Sequence, residues 1–245
     1  MSNYFVTGVS KGLGFALCKQ LLESGNQVVG VARTELSGKQ LDLLRTEKMF
    51  FYQCDISKKI DVEKIIKKLD VENFIPDCVI LNAGIHHEDQ VSGLCENYEA
   101  IFQINCLGAL IWVQHFLPKF EKRNSGTFVF ISSLSAVFPF PGRGSYSASK
   151  SYVSTSFKCF QRSYATKKVN FCNVFVGLLD TDMSSQVRIP NFFKYPADLA
   201  AKKIIKTVMN KKRNTYFPIR NVILEICLYL IPDALLLRIL GKVPP

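Results

Sequence analysis

A doubly wound α/β sheet with helices on both faces is the fold this chain predicts, and three observations carry that expectation. Short apolar runs rich in β-branched and aromatic residues alternate with helix-length amphipathic stretches, the pattern of parallel strands joined by helical crossovers. A glycine-rich turn, Thr7-Gly8-Val9-Ser10-Lys11-Gly12-Leu13-Gly14, stands directly between the first run and the first amphipathic stretch. Finally, 245 residues with no Pro/Gly-rich linker and no internal repeat suffice for one large domain and are short for two.

The elements follow in order. The first strand is read over residues 4–7, entered so early that no basic-then-apolar leader precedes it, and no signal peptide is expected. A helix over 12–23 leaves the glycine turn. Strands over 27–32 and 49–53, a helix over 60–69 and a strand over 78–81 come next. Two long helices, 98–122 and 145–167, enclose a strand at 127–131, and a strand at 169–176 follows the second. A helix over 196–210 and a last strand near 215–218 complete a main domain of residues 1–219.

Residues 220–245 are an apolar helical extension of that domain. Pro232-Asp233 divides it into two runs, 222–231 and 234–240, each too short to span a bilayer. Three roles stay open for it: a cover over the cleft, a contact with a second subunit, or peripheral membrane contact through 220–241. Arg213, Arg220, Arg238 and Lys242 would help the last of these.

Hydrophobic residues make up 48% and charged residues 21% of the chain, as in ordinary globular proteins. The net charge of +11 is spread over helix faces through residues such as Lys58, Lys59, Lys64, Lys67 and Lys68. That reads as a solvated positive surface, and no nucleic-acid partner is expected. The eight cysteines include no Cys-x-x-Cys pair, which points to a reducing, cytoplasmic compartment. His86 and His87 lack the companions of a zinc site, so no metal is expected.

The glycine turn has the position of a dinucleotide loop. Gly8, Gly12 and Gly14 permit a tight turn, close approach of backbone to a pyrophosphate and close packing of helix on sheet, with free N–H groups offered by the helix start. An acid at the end of the second strand would bind ribose hydroxyls, but the chain has Val31-Ala32-Arg33-Thr34 there. Arg33 can pair with a phosphate, and Lys11 can reach the same group. Together they favour NADP(H). Asp55 can meet the adenine amino group or cap a helix.

Tyr146 and Lys150 stand four residues apart, on one face of a helix. A cation beside a phenol lowers its pKa toward the range useful for proton transfer. These motifs, with LNAG at 81–84, Asn105, ISS at 131–133, YSASK at 146–150 and GLLDTDM at 177–183, resemble the short-chain dehydrogenase/reductase family, in its NADPH-preferring form. The resemblance covers roughly residues 4–216 and implies a Rossmann-like catalytic domain.

It also implies roles. Tyr146 would protonate a carbonyl oxygen, Ser133 would orient that oxygen, and Lys150 would lower the Tyr146 pKa and hold the nicotinamide ribose. Asn105 would hold a water beside Lys150. Gly8, Ser10, Lys11, Gly12, Leu13 and Gly14 would line the phosphates, with Arg33, Asp55 and Ile56 at the adenosine end. Asn82, Ala83 and Gly84 would line a ribose, and Gly177 and Thr181 would meet the nicotinamide. Val176 stands where the family usually has a proline before the glycine.

The expected function is NADPH-dependent reduction of a hydrophobic ketone or aldehyde, by a homodimer or homotetramer joined through the two long helices. The alternative is a non-enzymatic NADP(H)-binding regulator or scaffold. Val137, Phe138, Pro139, Phe140 and Pro141, with Ile189, Pro190, Phe192, Phe193 and Tyr195, could wall the substrate pocket or pack on the C-terminal helices.

Overall fold

The structure is a computed structural model that describes residues 1–36, 38, 42, 44, 46–89, 96–140, 142–184, 190–232 and 235. Seven parallel strands run in the order β3-β2-β1-β4-β5-β6-β9. They are β1 (Asn3–Thr7), β2 (Gln27–Ala32), β3 (Met49–Gln53), β4 (Cys78–Leu81), β5 (Gly126–Ser133), β6 (Val169–Val176) and β9 (Asn214–Phe217). A separate two-stranded ribbon, β7 (Leu179–Asp180) with β8 (Tyr195–Pro196), was not expected, because two-residue strands leave no periodic signal.

Period-2 alternation divides the core. Val6, Ile80, Val129 and Val174 face α1 (Gly12–Glu23) and α5 (Ala197–Met209). Phe5, Val79, Phe128 and Phe130 face α2 (Lys59–Val71), α3 (Tyr98–Arg123) and α4 (Gly144–Ser163). The second face is aromatic: Phe5 meets Trp112 at 4.5 Å between ring centroids, and Phe128 meets Phe171 at 5.1 Å. α3 is long and apolar enough to cross a membrane by length and composition, but Trp112, Phe116 and Phe120 are fully buried in this core. Burial of three such rings is worth several kcal/mol.

The chain runs outward from β1 to β3, then returns to β4 on the other side of β1. The C-terminal ends of β1 and β4 therefore border a crevice where the order reverses, the usual place for a ligand in such sheets. α3 is interrupted by a π-helical turn at Gln103–Leu107 that holds Asn105, and such turns gather at functional sites. β5 extends two residues beyond its expected end, placing Ser132 and Ser133 at the rim. The first C-terminal run forms α6 (Ile219–Tyr229); the second, 234–240, lies outside the described residues apart from Leu235.

Candidate active site

The turn after β1 is held before any ligand arrives. The Thr7 hydroxyl accepts from the N–H groups of Asn82 and Ala83, each at 3.0 Å. The Asn82 amide donates back to the carbonyls of Thr7 at 3.0 Å and Gly8 at 3.1 Å. Gly8 has φ +74°, and a side chain at Gly14 would place its Cβ 2.0 Å from the Gly8 carbonyl oxygen. No side chain caps the start of α1, so its first N–H groups point into the crevice with the positive end of the helix dipole.

Residues expected at the site do converge. Gly8, Ser10, Lys11, Gly12, Leu13, Gly14, Arg33, Asp55, Ile56, Asn82, Ala83, Gly84, Ser133, Tyr146, Lys150, Gly177 and Thr181 all line one cavity of about 370 Å³. Asn105 lies behind it, fully buried. Its amide donates to the Ile85 carbonyl and the Ser149 hydroxyl, both at 3.0 Å, and its oxygen accepts from the Ile85 N–H at 2.8 Å. Those bonds clamp the 82–86 loop to α4.

α4 brings Tyr146 and Lys150 onto one face. Its N-terminus is capped from a distance: the Asp89 carboxylate accepts from the Ser145 N–H at 3.2 Å and the Ser145 hydroxyl at 2.7 Å. The Lys150 ammonium donates to the Ile131 carbonyl at 2.9 Å and stands 5.9 Å from the Tyr146 ring centroid. Burial brings Lys150 down to about 8.

Burial also holds the Tyr146 phenol above its ordinary value, while the neighbouring Ser133 hydroxyl and Arg143 act the other way. The expected lowering by Lys150 is thus not what the site displays, because removing a phenolate from water costs more than these neighbours return. Of the two adjacent serines, Ser132 is committed to the Ser154 hydroxyl at 2.6 Å inside the core. Ser133 faces Tyr146.

The two expected phosphate cations differ. Lys11 pairs with Asp182 across the crevice at 3.1 Å, and both side chains are exposed, so the pair itself contributes little to stability. Arg33 borders a second cavity of about 460 Å³ with Lys58, Lys64, Asp55 and Asp61. The Asp55 carboxylate accepts from the N–H and hydroxyl of Ser57. Burial would raise its pKa, but those bonds, with Arg33 and Lys58, leave it below the usual carboxyl range. Thr181 stands over the loop, its methyl 3.4 Å from where a Gly12 Cβ would be.

Two of the apolar residues on either side of the cleft, Phe138 and Phe192, take the second of their two expected places. Phe138 packs on Tyr229 of α6, with ring centroids 5.6 Å apart, and Phe192 lies under Arg220. Pro141 and Ile189 are outside the described residues. The apolar wall of the cavity is instead Ile85, Leu134, Leu178, Leu179 and Met183.

Sequence reading passed over Thr7, Ser149, Arg143 and Glu225. Arg143 precedes Tyr146 by three residues, close to one helical turn. Glu225 is the one acid inside the apolar run 222–231, and that isolation was a readable signal.

A family model described as short chain dehydrogenase matches residues 2–191. The chain belongs to that family. An uncharacterized oxidoreductase of Staphylococcus haemolyticus is 27% identical over 190 residues, 74% of this chain and 79% of the relative. Among solved structures, a short chain dehydrogenase from Burkholderia cenocepacia in complex with NADP superposes with a TM-score of 0.77 at 22% identity, covering 100% of this chain and 98% of the other. A 4-hydroxyisoleucine dehydrogenase complexed with NADH superposes with a TM-score of 0.79 at 18% identity, covering 89% and 97%. The dehydrogenase match ends before α6, so Glu225 belongs to a part of the chain the family model does not describe.

Proposed function

We propose that this protein is an NADPH-dependent reductase of a ketone or aldehyde, acting in the cytoplasm. The observation that carries the reading is the convergence of Ser133, Tyr146 and Lys150 on the cavity that also holds the glycine loop. The cofactor fits the residues present. The Gly8–Gly14 contact leaves backbone where side chains would stand, the start of α1 offers unpaired N–H groups, and Arg33 follows a β2 that ends without an acid, sharing a cavity with Lys58 and Lys64 as well as Asp55 and Asp61.

Ser10, Lys11, Gly12 and Leu13 would hold the phosphates. Arg33 would take the 2′-phosphate, with Asp55 and Ile56 beside the adenine. Asn82, Ala83, Gly84 and Lys150 would line the ribose, and Gly177 and Thr181 the nicotinamide, which supplies the hydride when bound. Tyr146, kept protonated by its burial, donates its proton to the carbonyl oxygen, which Ser133 orients. Lys150 keeps a positive charge near that proton up to about pH 8. Asn105 positions both through the 82–86 loop and Ser149.

Single-turnover oxidation of NADPH with a carbonyl panel tests the reading. Tyr146→Phe should lower kcat/KM by about 10³-fold and leave NADPH affinity within about twofold of wild type. Turnover that survives the substitution would overturn the mechanism. NADPH binding without turnover of any carbonyl would favour a non-enzymatic NADP(H)-binding regulator or scaffold.

Two surfaces support partners. Phe102, Leu107 and Tyr152 are exposed on α3 and α4, and the Phe102 and Tyr152 rings lie 5.3 Å apart. They support assembly as a homodimer or homotetramer through these helices. Ile219, Ile223, Ile226, Tyr229 and Leu230 are exposed along α6, which supports peripheral membrane contact by that helix.

A further inference from the structure

Beyond the catalytic set, the cavity has a second polar end. Glu225 reaches it from α6, His86 from the loop after β4, and Arg143 from the start of α4. The Glu225 Oε2 and His86 Nε2 atoms are shielded from solvent and have no hydrogen-bond partner among the described residues. The His86 ring meets the Tyr146 ring edge-on, with centroids 4.9 Å apart, so this polar end adjoins the proton donor. Arg143 is near enough to act on the charge of His86, Tyr146 and Glu225 alike, yet it forms no ion pair within 4.0 Å of Glu225. A carboxylate and a guanidinium therefore face one cavity without satisfying each other.

Buried polar atoms in native proteins are nearly always hydrogen-bonded, and those left open at a cavity are candidates for ligand contact. The chemistry of the three groups narrows the ligand. A cation would gain from Glu225 but meet Arg143, and an anion would gain from Arg143 but meet Glu225. A neutral group that both donates and accepts can satisfy the two together.

We propose that the substrate is a neutral carbonyl compound bearing a second polar group, a hydroxyl or a carboxamide, which donates to Glu225 and accepts from Arg143 while the carbonyl lies at Tyr146. This rests on the reductase reading and sharpens it: the substrate is not a plain hydrocarbon ketone. Burial raises the Glu225 carboxyl to about 7, with Arg143 acting against that shift. Either protonation state near neutrality offers an acceptor oxygen for the ligand.

The test uses the full-length protein loaded with NADPH and two matched series. One is 4-substituted benzaldehydes carrying hydroxymethyl, carboxamide, ethyl, dimethylaminomethyl or carboxylate groups. The other is the corresponding five- and six-carbon methyl ketones. Affinity is read from quenching of bound NADPH fluorescence, and turnover separately from NADPH oxidation.

In at least one series the hydroxyl and carboxamide members should bind at least about tenfold better than the apolar member, and both charged members should bind worse than the hydroxyl. Glu225→Leu should bring the hydroxyl-to-apolar ratio to about one, and Glu225→Gln, which keeps an acceptor oxygen, should retain part of it. The readout is a ratio within each variant, so a general loss of structure does not imitate it. An apolar or charged member binding best, no preference or no binding in both series, or a ratio unchanged in Glu225→Leu would overturn the proposal. Binding preference without NADPH oxidation would instead defeat the reductase reading and leave the pocket assignment standing.

Discussion

The two ends of the cavity are built on opposite plans. At the end beside the glycine turn the side chains are paired within the protein and the first N–H groups of α1 stay open: Thr7, Asn82 and Ala83 bind one another, and Gly14 packs against the Gly8 carbonyl so closely that no side chain fits between them. At the end beside Tyr146, His86 and Glu225 keep atoms unpaired among the described residues, and Arg143 leaves Glu225 without an ion pair. The difference teaches where recognition resides. A close-packed frame whose side chains are paired and whose open groups are backbone N–H can hold only one shape of ligand. An unsaturated end costs stability and is repaired by whichever ligand completes its hydrogen bonds.

The strongest way to break this contrast is to loosen the frame. In Gly14→Ala the added Cβ would lie 2.0 Å from the Gly8 oxygen and 2.6 Å from the Asn82 amide nitrogen, so backbone must move. The expected cost is about 3 kcal/mol, a Tm lowered by roughly 6–12 °C, with NADPH affinity reduced at least about 100-fold. Calorimetry and a fluorescence titration measure both. Retention of wild-type affinity would show that the turn is not a rigid cradle.

A smaller effect separates the two ends by their ligands. Arg33→Glu should reverse the preference between NADPH and NADH by about 10–100-fold in kcat/KM, because a carboxylate there repels a 2′-phosphate and accepts from ribose hydroxyls. Ligand ratios at the carbonyl end should not follow it. An unchanged cofactor ratio would remove Arg33 from the nucleotide site.

The smallest effect measures what the unsaturated end costs. Glu225 titrates at about 7 in the folded protein against 4.5 as its ordinary value. Its folded value is raised, so its contribution to stability is fully present below the ordinary value and is lost as pH rises through about 7. Between pH 5 and 8 the Tm of wild type should fall relative to Glu225→Gln by a few degrees at most, since the side chain is partly exposed. Parallel Tm profiles would show that Glu225 is already satisfied.

Much of the molecule was legible in the chain. Alternation of β-branched runs with amphipathic stretches located all seven strands of the main sheet to within about two residues at each end, because a buried parallel strand must be apolar on both faces. The glycine spacing marked the turn between β1 and α1, since its geometry is local to one strand–turn–helix unit. YSASK marked Tyr146 and Lys150 for the same reason.

What the chain could not disclose was assembled across long separations. The pairing of Lys11 with Asp182, 171 residues away, is one such contact. The depth at which Tyr146 is buried, which no spacing encodes, raises its phenol by more than Ser133 and Arg143 lower it. The sequence by itself determined the sheet, the glycine turn and the Tyr146–Lys150 pair on one helix face, because each depends on residues within a turn or two of one another. Only the tertiary structure decided that Glu225 of the last described helix lines the same cavity as Arg143, His86 and Tyr146, because desolvation and unpaired hydrogen-bonding groups exist only once distant segments close around the same space.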